Sequence, residues 1–429
     1  MQQPRRDFIR TASAALTTSF LTGRSKGANE RIRLGVIGTG NRGSHHLRLA
    51  LKQPDIEVAA VCDVYQPRVD SAVEATHGRA RGTRDFREVL ADKSLDAVCI
   101  ATPCHWHAYM AVEACKAGKD VYVEKPVCLG IDEGRKMVEA ARKYHRIVQA
   151  GLQQRAAPHF QKAVELVRSG AAGKVTFCRT WNYANLREEG MGKFPDEDPL
   201  PGLDWEMWVG PAPKLPFSRK YWFLNERPDA RFSYFWAYGG GMATDWAVHL
   251  LDIVQMAFDE AMPRAVTALG GKFWLKDDRD TTDTLQISYE YPGFLAAYEN
   301  RWGNAQSMFG EAYGTIFHGS KATLMVNRGG YRLVPEAGSG VAAVEGKPEP
   351  GDDGTMALWR NFVECVRTRR KPVCDIEIGY RSTASCILGN GALLSKMRLD
   401  WDDQAQTVAQ KAALKHLNRE YRKPWKLVV

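Results

Sequence analysis

Residues 33–37 (Arg-Leu-Gly-Val-Ile) form a short apolar run that opens directly into Gly38-Thr39-Gly40-Asn41-Arg42-Gly43, and the next apolar run, 57–62, is closed by Asp63. Few other arrangements constrain a chain so strongly. Gly38 permits a tight turn, Gly40 lets a pyrophosphate approach the backbone, and Gly43 lets the following helix pack against the strand. The start of that helix offers unpaired N–H groups to phosphate. An acid about 20 residues further on has the spacing of a ribose contact. The first third of the chain therefore reads as a dinucleotide-binding unit, with Thr39, Asn41 and Arg42 in the phosphate turn.

Asp63 also selects between dinucleotides. Its carboxylate can accept both ribose hydroxyls, whereas a 2′-phosphate would meet a like charge, at roughly 4 kcal/mol for a pair about 4 Å apart in an effective dielectric near 20. That is on the order of a thousandfold in affinity, so NAD is expected over NADP. Arg68 is close enough in sequence to soften the discrimination. The competing reading of Asp63 is a cap on the next helix.

Beyond this unit, short apolar runs alternate with helical patterns: strands are expected at 32–37, 57–62, 95–101, 119–123 and 147–150, and helices at 44–51, 68–75, 107–117 and 132–144. Such alternation implies a doubly wound parallel sheet. The pattern changes near Gly151, after which a helix at 160–168 is followed by long period-two runs at 174–183, 284–291 and 294–301, the signature of an open, mainly antiparallel sheet. Residues 335–354, rich in Gly, Pro and acids, read as a surface loop. Helical spacing returns around 358–366 and 379–396. The expected organisation is an export segment (1–29), a nucleotide-binding domain (30–150) and a C-terminal substrate-binding and oligomerisation domain (151–429).

Arg5-Arg6-Asp7-Phe8-Ile9-Arg10, followed by a mildly apolar stretch over 11–21, reads as a twin-arginine export signal, a route for folded proteins. It predicts a periplasmic or otherwise exported protein served by that machinery; the alternative is a chance Arg pair in an unstructured terminus. The apolar stretch is shorter than the ~20 residues of a spanning helix, so stable membrane insertion is not expected. Of the net charge of +9, four charges fall in residues 1–27, where five basic side chains face one acid. The remainder is scattered among acids, which argues against nucleic-acid binding. Nine cysteines without a CxxC pair point to buried free thiols rather than a disulfide scaffold.

Glu124-Lys125-Pro126 follows the 119–123 strand, at the sheet edge where open α/β sheets bind ligands. Lys125 is expected beside a nicotinamide, where burial and the positive ring favour its neutral form, and where it polarises a substrate hydroxyl or holds the alkoxide. The alternative is a surface lysine. Gly239-Gly240-Gly241 precedes Asp245 and His249, which as i and i+4 would share one helix face. With an ordinary pKa near 6.5, His249 suits removal of a hydroxyl proton as hydride leaves the same carbon, a base contribution of about 100- to 10,000-fold. Asp245 would orient the imidazole or hold a neighbouring hydroxyl; a helix-stabilising contact or half a metal site are the alternatives. Cys104-His105-Trp106-His107 lacks a second ligand pair at metal-like spacing, so no metal is expected. Trp181, Tyr183, Trp205, Trp208, Tyr234 and Trp236 are candidate flat faces for a sugar ring, and Gln153, Gln154 and Arg155 are candidate cleft residues.

Taken in order, the GTGNRG turn, Thr102-Pro103 with His105 and His107, Glu124-Lys125-Pro126, residues 204–211 (Asp-Trp-Glu-Met-Trp-Val-Gly-Pro) and GGG-x3-Asp-x3-His resemble the glucose-fructose oxidoreductase, inositol dehydrogenase and rhizopine-catabolism (Gfo/Idh/MocA) family. The resemblance runs from about Arg31 to the C-terminus. It implies an α/β fold: an N-terminal Rossmann sheet and a C-terminal α/β domain whose open sheet forms a homo-oligomer interface. It places the cofactor on Gly38, Thr39, Gly40, Asn41, Arg42, Gly43, Asp63, Thr102, Pro103, His107, Glu124 and Lys125, and catalysis on Lys125, Asp245 and His249. It also implies a carbohydrate or polyol substrate and, in some exported relatives, a tightly held nucleotide. Three functions compete: an NAD-dependent sugar dehydrogenase, a redox-assisted NAD-dependent glycosidase using the same hydride apparatus, and a non-catalytic sugar or nucleotide sensor.

Overall fold

The computed structural model describes residues 31–221, 231–349 and 353–429. The twin-arginine motif and the apolar stretch after it lie outside the described residues.

The N-terminal sheet is built from β1 (Ile32–Ile37), β2 (Ile56–Cys62), β3 (Arg81–Thr83), β4 (Ala97–Ile100), β5 (Asp120–Val123) and β6 (Val148–Ala150), in the order β3-β2-β1-β4-β5-β6. All its pairs are parallel. The helices between are α1 (Asn41–Leu51), α2 (Gln66–Ala75), α3 (Phe86–Ala91), α4 (His107–Lys116) and α5 (Ile131–Lys143). β4 and β5 are buried at every residue, as a sheet covered on both faces requires. β3 does not announce itself, since Arg-Gly-Thr is not an apolar run, and α3 is too short to show a helical period. α3 is a six-residue helix started by the Asp85 carboxylate, which accepts from Arg87 N at 2.9 Å.

Beyond Gly151 come α6 (Pro158–Arg168), β7 (Val175–Tyr183), α7 (Trp205–Val209) and α8 (Val248–Ala257). They are followed by β8 (Ala265–Gly271), β9 (Thr284–Tyr291), β10 (Phe294–Arg301), β11 (Tyr313–Gly319), β12 (Ala322–Asn327), β13 (Gly330–Pro335) and β14 (Val344–Gly346). The chain ends with α9 (Thr355–Thr368), α10 (Ile376–Ser395), β15 (Leu399–Asp402), β16 (Thr407–Val408) and the short α11 (Leu414–Leu417). The ten-stranded sheet runs β14-β13-β12-β11-β7-β10-β9-β8-β15-β16. Every pairing in it among the described residues is antiparallel except β7 with β10, whose long intervening crossover permits parallel pairing. β9 alternates buried and exposed residues, so one face packs on helices and the other is open. On or beside that open face Leu269 and Leu295 are exposed. The loop expected over 335–354 contains the short β14, which extends the sheet by pairing with β13.

The two sheets are joined by the last helices. Gly379 of α10 sits so close to β6 that a Cβ there would lie 2.3 Å from Ala150 Cβ. Trp359 of α9 stacks on Tyr122 of β5 with ring centroids 4.7 Å apart. The nucleotide-binding sheet thus owes the cover of its β6 side to residues more than 200 positions downstream. All nine cysteines are buried and unpaired.

Candidate active site

A cleft of about 620 Å³ opens at the carboxyl ends of β1, β2, β4 and β5 and is closed on its other side by the start of α8 and by Arg328. Its size is ordinary for a small-molecule site.

At one end stands the glycine turn. Gly38 has φ +84°, and a Cβ there would lie 2.7 Å from Thr102 N; a Cβ on Gly43 would lie 1.7 Å from Gly38 O. Only glycine fits at either place. Helix α1 is entered from Gly40 with no side-chain cap and no acid in its first turn, so its leading N–H groups stay available to an anion. Asp63 braces this turn: Thr39 N donates to its Oδ2 at 2.8 Å and Tyr65 N to its Oδ1 at 3.1 Å. Burial raises its carboxyl above the ordinary range, against the pull of Arg68 and these N–H groups. Asp63 does not cap α2, whose N-cap is Tyr65.

Several residues expected to hold the cofactor line the cleft and also bond within the protein. Arg42 turns its guanidinium to Glu124 (Nε to Oε1, 2.8 Å) and toward Thr355. Glu124 also accepts from His46 Nε2 at 2.6 Å and from Lys125 N at 3.1 Å. Burial would raise its carboxyl, but the Arg42 charge and the His46 and Arg42 hydrogen bonds outweigh it and hold it well below the usual range. Glu124 lines the cleft and is the buried anchor of the β5 end. His107 puts its two ring nitrogens 2.7 Å from Pro126 O and 2.9 Å from Thr102 O, tying the ends of β4 and β5 together. Among the described residues Thr102 Oγ1 is buried without a partner. Pro103 leads the chain from β4 into a 3-10 turn over Cys104–Trp106.

At the other end Lys125 meets Asp245. Lys125 Nζ donates to Asp245 Oδ1 at 2.7 Å and to Asp245 O at 2.8 Å. The amine expected to be partly desolvated beside a nicotinamide is met by a carboxylate. Burial raises the Asp245 carboxyl, yet the Lys125 charge and hydrogen bond prevail and bring it below the ordinary range. Arg231 Nη1 lies 4.0 Å from Asp245 Oδ2.

Asp245 does not orient His249. Residues Ala243–Ala247 form a π-helical turn before α8 begins; both side chains line the cleft, but among the described residues the Asp245 carboxylate is held by Lys125 and makes no hydrogen bond to the imidazole. His249 lines the cleft, and its Nδ1 is buried without a partner among the described residues. Burial first, then the Lys125, Arg328 and Arg42 cations, push its pKa well below 6.5 and keep the imidazole neutral.

Of the aromatic candidates, only Trp208 lines the cleft; Trp181 is fully buried and Tyr183 bonds to Glu299. Trp208 O accepts from His105 Nε2 and Trp106 Nε1, both at 2.9 Å. Burial drives the His105 pKa down to about 3. Gln153 lines the cleft, whereas Arg155 is locked into Asp252 and Glu260. Sequence reasoning missed Trp246, Tyr221 and Arg328. No local pattern marks them, because each reaches the cleft from a loop or element end placed by the tertiary fold.

Residues 32–152 match the Gfo/Idh/MocA oxidoreductase family model for an NAD-binding Rossmann fold, and residues 162–427 match the oxidoreductase-family model for a C-terminal alpha/beta domain. An inositol 2-dehydrogenase of Rubrobacter xylanophilus is 31% identical over 203 residues, 47% of this chain and 54% of that protein. A glycosyl hydrolase family 109 protein of Saccharopolyspora erythraea is 32% identical over 169 residues, 38% of this chain and 37% of that protein. These alignments thus cover between about a third and a half of the relatives' own length. Among solved structures, the WlbA dehydrogenase of Bordetella pertussis in complex with NADH and UDP-GlcNAcA has a TM-score of 0.66 at 19% identity, over 87% of this chain and 99% of that one. A levoglucosan dehydrogenase in complex with NADH and levoglucosan has a TM-score of 0.67 at 16% identity, over 86% and 99%.

Proposed function

The chain belongs to the Gfo/Idh/MocA oxidoreductase family, and from that premise we propose that it is an NAD-dependent dehydrogenase acting on a CH–OH group of a sugar or sugar-like polyol. The observation that carries this reading is the convergence of Lys125, Asp245 and His249 on one cleft that also contains the glycine turn.

The cleft fits the cofactor. The glycines leave no room for a Cβ, the uncapped start of α1 faces the phosphate position, and the buried Thr102 hydroxyl has no hydrogen-bond partner among the described residues. Asp63 stands at the end of β2, where a ribose is received. When bound, NAD supplies the hydride acceptor. The protein supplies the rest: Lys125, held by Asp245, donates to the substrate oxygen and stabilises charge growing there. His249, kept neutral, takes the hydroxyl proton. Asp245 positions Lys125 rather than the imidazole.

The inositol dehydrogenase relative supports a polyol substrate. The glycosyl hydrolase relatives favour a second reading, a glycosidase that oxidises a sugar transiently and regains its NAD each turnover. The Arg5-Arg6 motif supports export by the twin-arginine route, and the exposed Leu269 and Leu295 beside the open sheet support a homo-oligomer.

The test is to denature the purified protein and identify the released nucleotide, then to supply sugars, polyols and glycosides. NADH absorbance rising with free sugars supports the dehydrogenase; aglycone release without net NADH supports the glycosidase; nucleotide binding with neither leaves the sensor. Cell fractionation with an Arg5→Lys, Arg6→Lys variant tests export, and sedimentation tests assembly.

A further inference from the structure

Arg328 is a cation in the cleft that makes no ion pair among the described residues. It follows β12 at the hairpin turn, where the backbone is pinned: Gly329 N donates to Asn327 Oδ1 at 2.7 Å, and Asn327 Nδ2 donates to Glu311 Oε2 at 3.0 Å. Its guanidinium lies over the Trp246 ring at 4.9 Å, and Trp246 is 5.8 Å from the His249 ring and stacked on Tyr313 at 5.0 Å. Arg328 Nε is buried with no hydrogen-bond partner among the described residues, and the side chain has no ion pair among them. The acids that face it are already engaged: Glu124 by Arg42 and His46, and Asp353 by Thr355 N at 3.0 Å. A half-buried guanidinium without an acceptor is costly unless a ligand completes it.

The wall as a whole has the same bias. Among the described residues lining the cleft, Arg42, Arg68, Arg84, Lys125, Arg231 and Arg328 stand against Asp63, Glu124 and Asp245. A pyrophosphate offsets part of this excess at the glycine turn. The oxidised nicotinamide, itself cationic, offsets none at the His249 end.

We propose that the substrate is an acidic sugar, a ring or open polyol bearing a carboxylate, and that Arg328 receives that carboxylate beside the Trp246 face while His249 and Lys125 address a hydroxyl. The planar fork matches a carboxylate in two-point fashion, and one unpaired guanidinium balances one monoanion. This rests on reading the cleft as the place where a sugar meets the nicotinamide.

The test is calorimetry on the full chain saturated with NAD, titrated with hexuronates and aldonates, their neutral parent sugars and hexose phosphates. At least one acid binds about 10- to 100-fold more tightly than its neutral parent, the range of a charge-assisted hydrogen bond. Arg328→Leu abolishes that advantage and Arg328→Lys retains part of it, with NAD affinity unchanged in both. A neutral sugar or a phosphate binding best, an acid preference that survives Arg328→Leu, or an equal loss of NAD affinity each overturns the assignment. NADH absorbance is read separately. Acid binding without NADH formation upholds the carboxylate site and refutes the dehydrogenase, whereas NADH formation with neutral sugars alone does the reverse.

Discussion

Trp359 Nε1 donates to His46 Nδ1 at 2.9 Å, so a helix from the far end of the chain sets the tautomer of a histidine behind the cofactor cleft. With Nδ1 committed as acceptor, Nε2 carries the proton and gives it to Glu124, whose other oxygen holds the backbone N–H of Lys125. Position along the sequence gives no hint of this link, yet it fixes the strand end on which the reactive amine stands.

Trp359→Phe keeps the stack on Tyr122 but removes the N–H, leaving His46 Nδ1 a buried acceptor without a donor. The expected cost is about 1–3 kcal/mol of stability, read from urea unfolding. An unchanged midpoint would show that the relay contributes nothing to stability.

Lys125→Met and Asp245→Asn should each lower kcat/KM by about 100- to 1,000-fold, the usual range for losing a preorganised donor to developing charge. Because Asp245 acts through Lys125, the double variant should lose far less than the product of the two. Nucleotide affinity, measured by fluorescence titration, should change little. Multiplicative losses would separate the two residues.

The His249 pKa is lowered by burial first and by the Lys125, Arg328 and Arg42 cations next. A lowered value means that the imidazole remains unprotonated as pH falls through 6.5, so the acid limb of kcat/KM should lie below pH 6.5. Arg328→Leu removes one of these cations and should move the limb upward. His249→Asn should reduce the rate about 100- to 10,000-fold. An acid limb at or above 6.5 in the wild type would contradict a neutral buried base.

Gly43→Ala places a methyl group 1.7 Å from Gly38 O, and backbone cannot yield as a flexible side chain can. Helix α1 must shift, at about 1–3 kcal/mol for an overpacked site. Thermal unfolding should show the loss, and calorimetry should show weakened NAD binding. Native affinity would mean that the turn is not the phosphate site.

Asp63→Ser keeps an acceptor for Thr39 N–H and removes the charge. The preference for NAD over NADP should narrow by on the order of 100- to 1,000-fold, measured as the ratio of dissociation constants. An unaltered ratio would assign the discrimination to Arg68 and its surroundings.

What could be read from the chain alone was local. The β1 strand, the glycine turn and the first apolar runs declare themselves through residue type and period, because strand burial and tight turns are dictated within a few residues. Elements too short to show a period, β3 and α3, escaped. So did the π turn at Ala243–Ala247, which interrupts the α-helical run expected to carry Asp245 and His249. The partners of the reactive groups were decided by tertiary packing: Asp245 for Lys125 across 120 positions, Trp359 for His46 across 313, and for Arg328 the face of Trp246 with no hydrogen-bond partner for its Nε among the described residues. A side chain's charge and hydrogen-bonding capacity are properties of its residue type, but which neighbour satisfies them depends on how distant elements pack, and there the chain's own order carries no information.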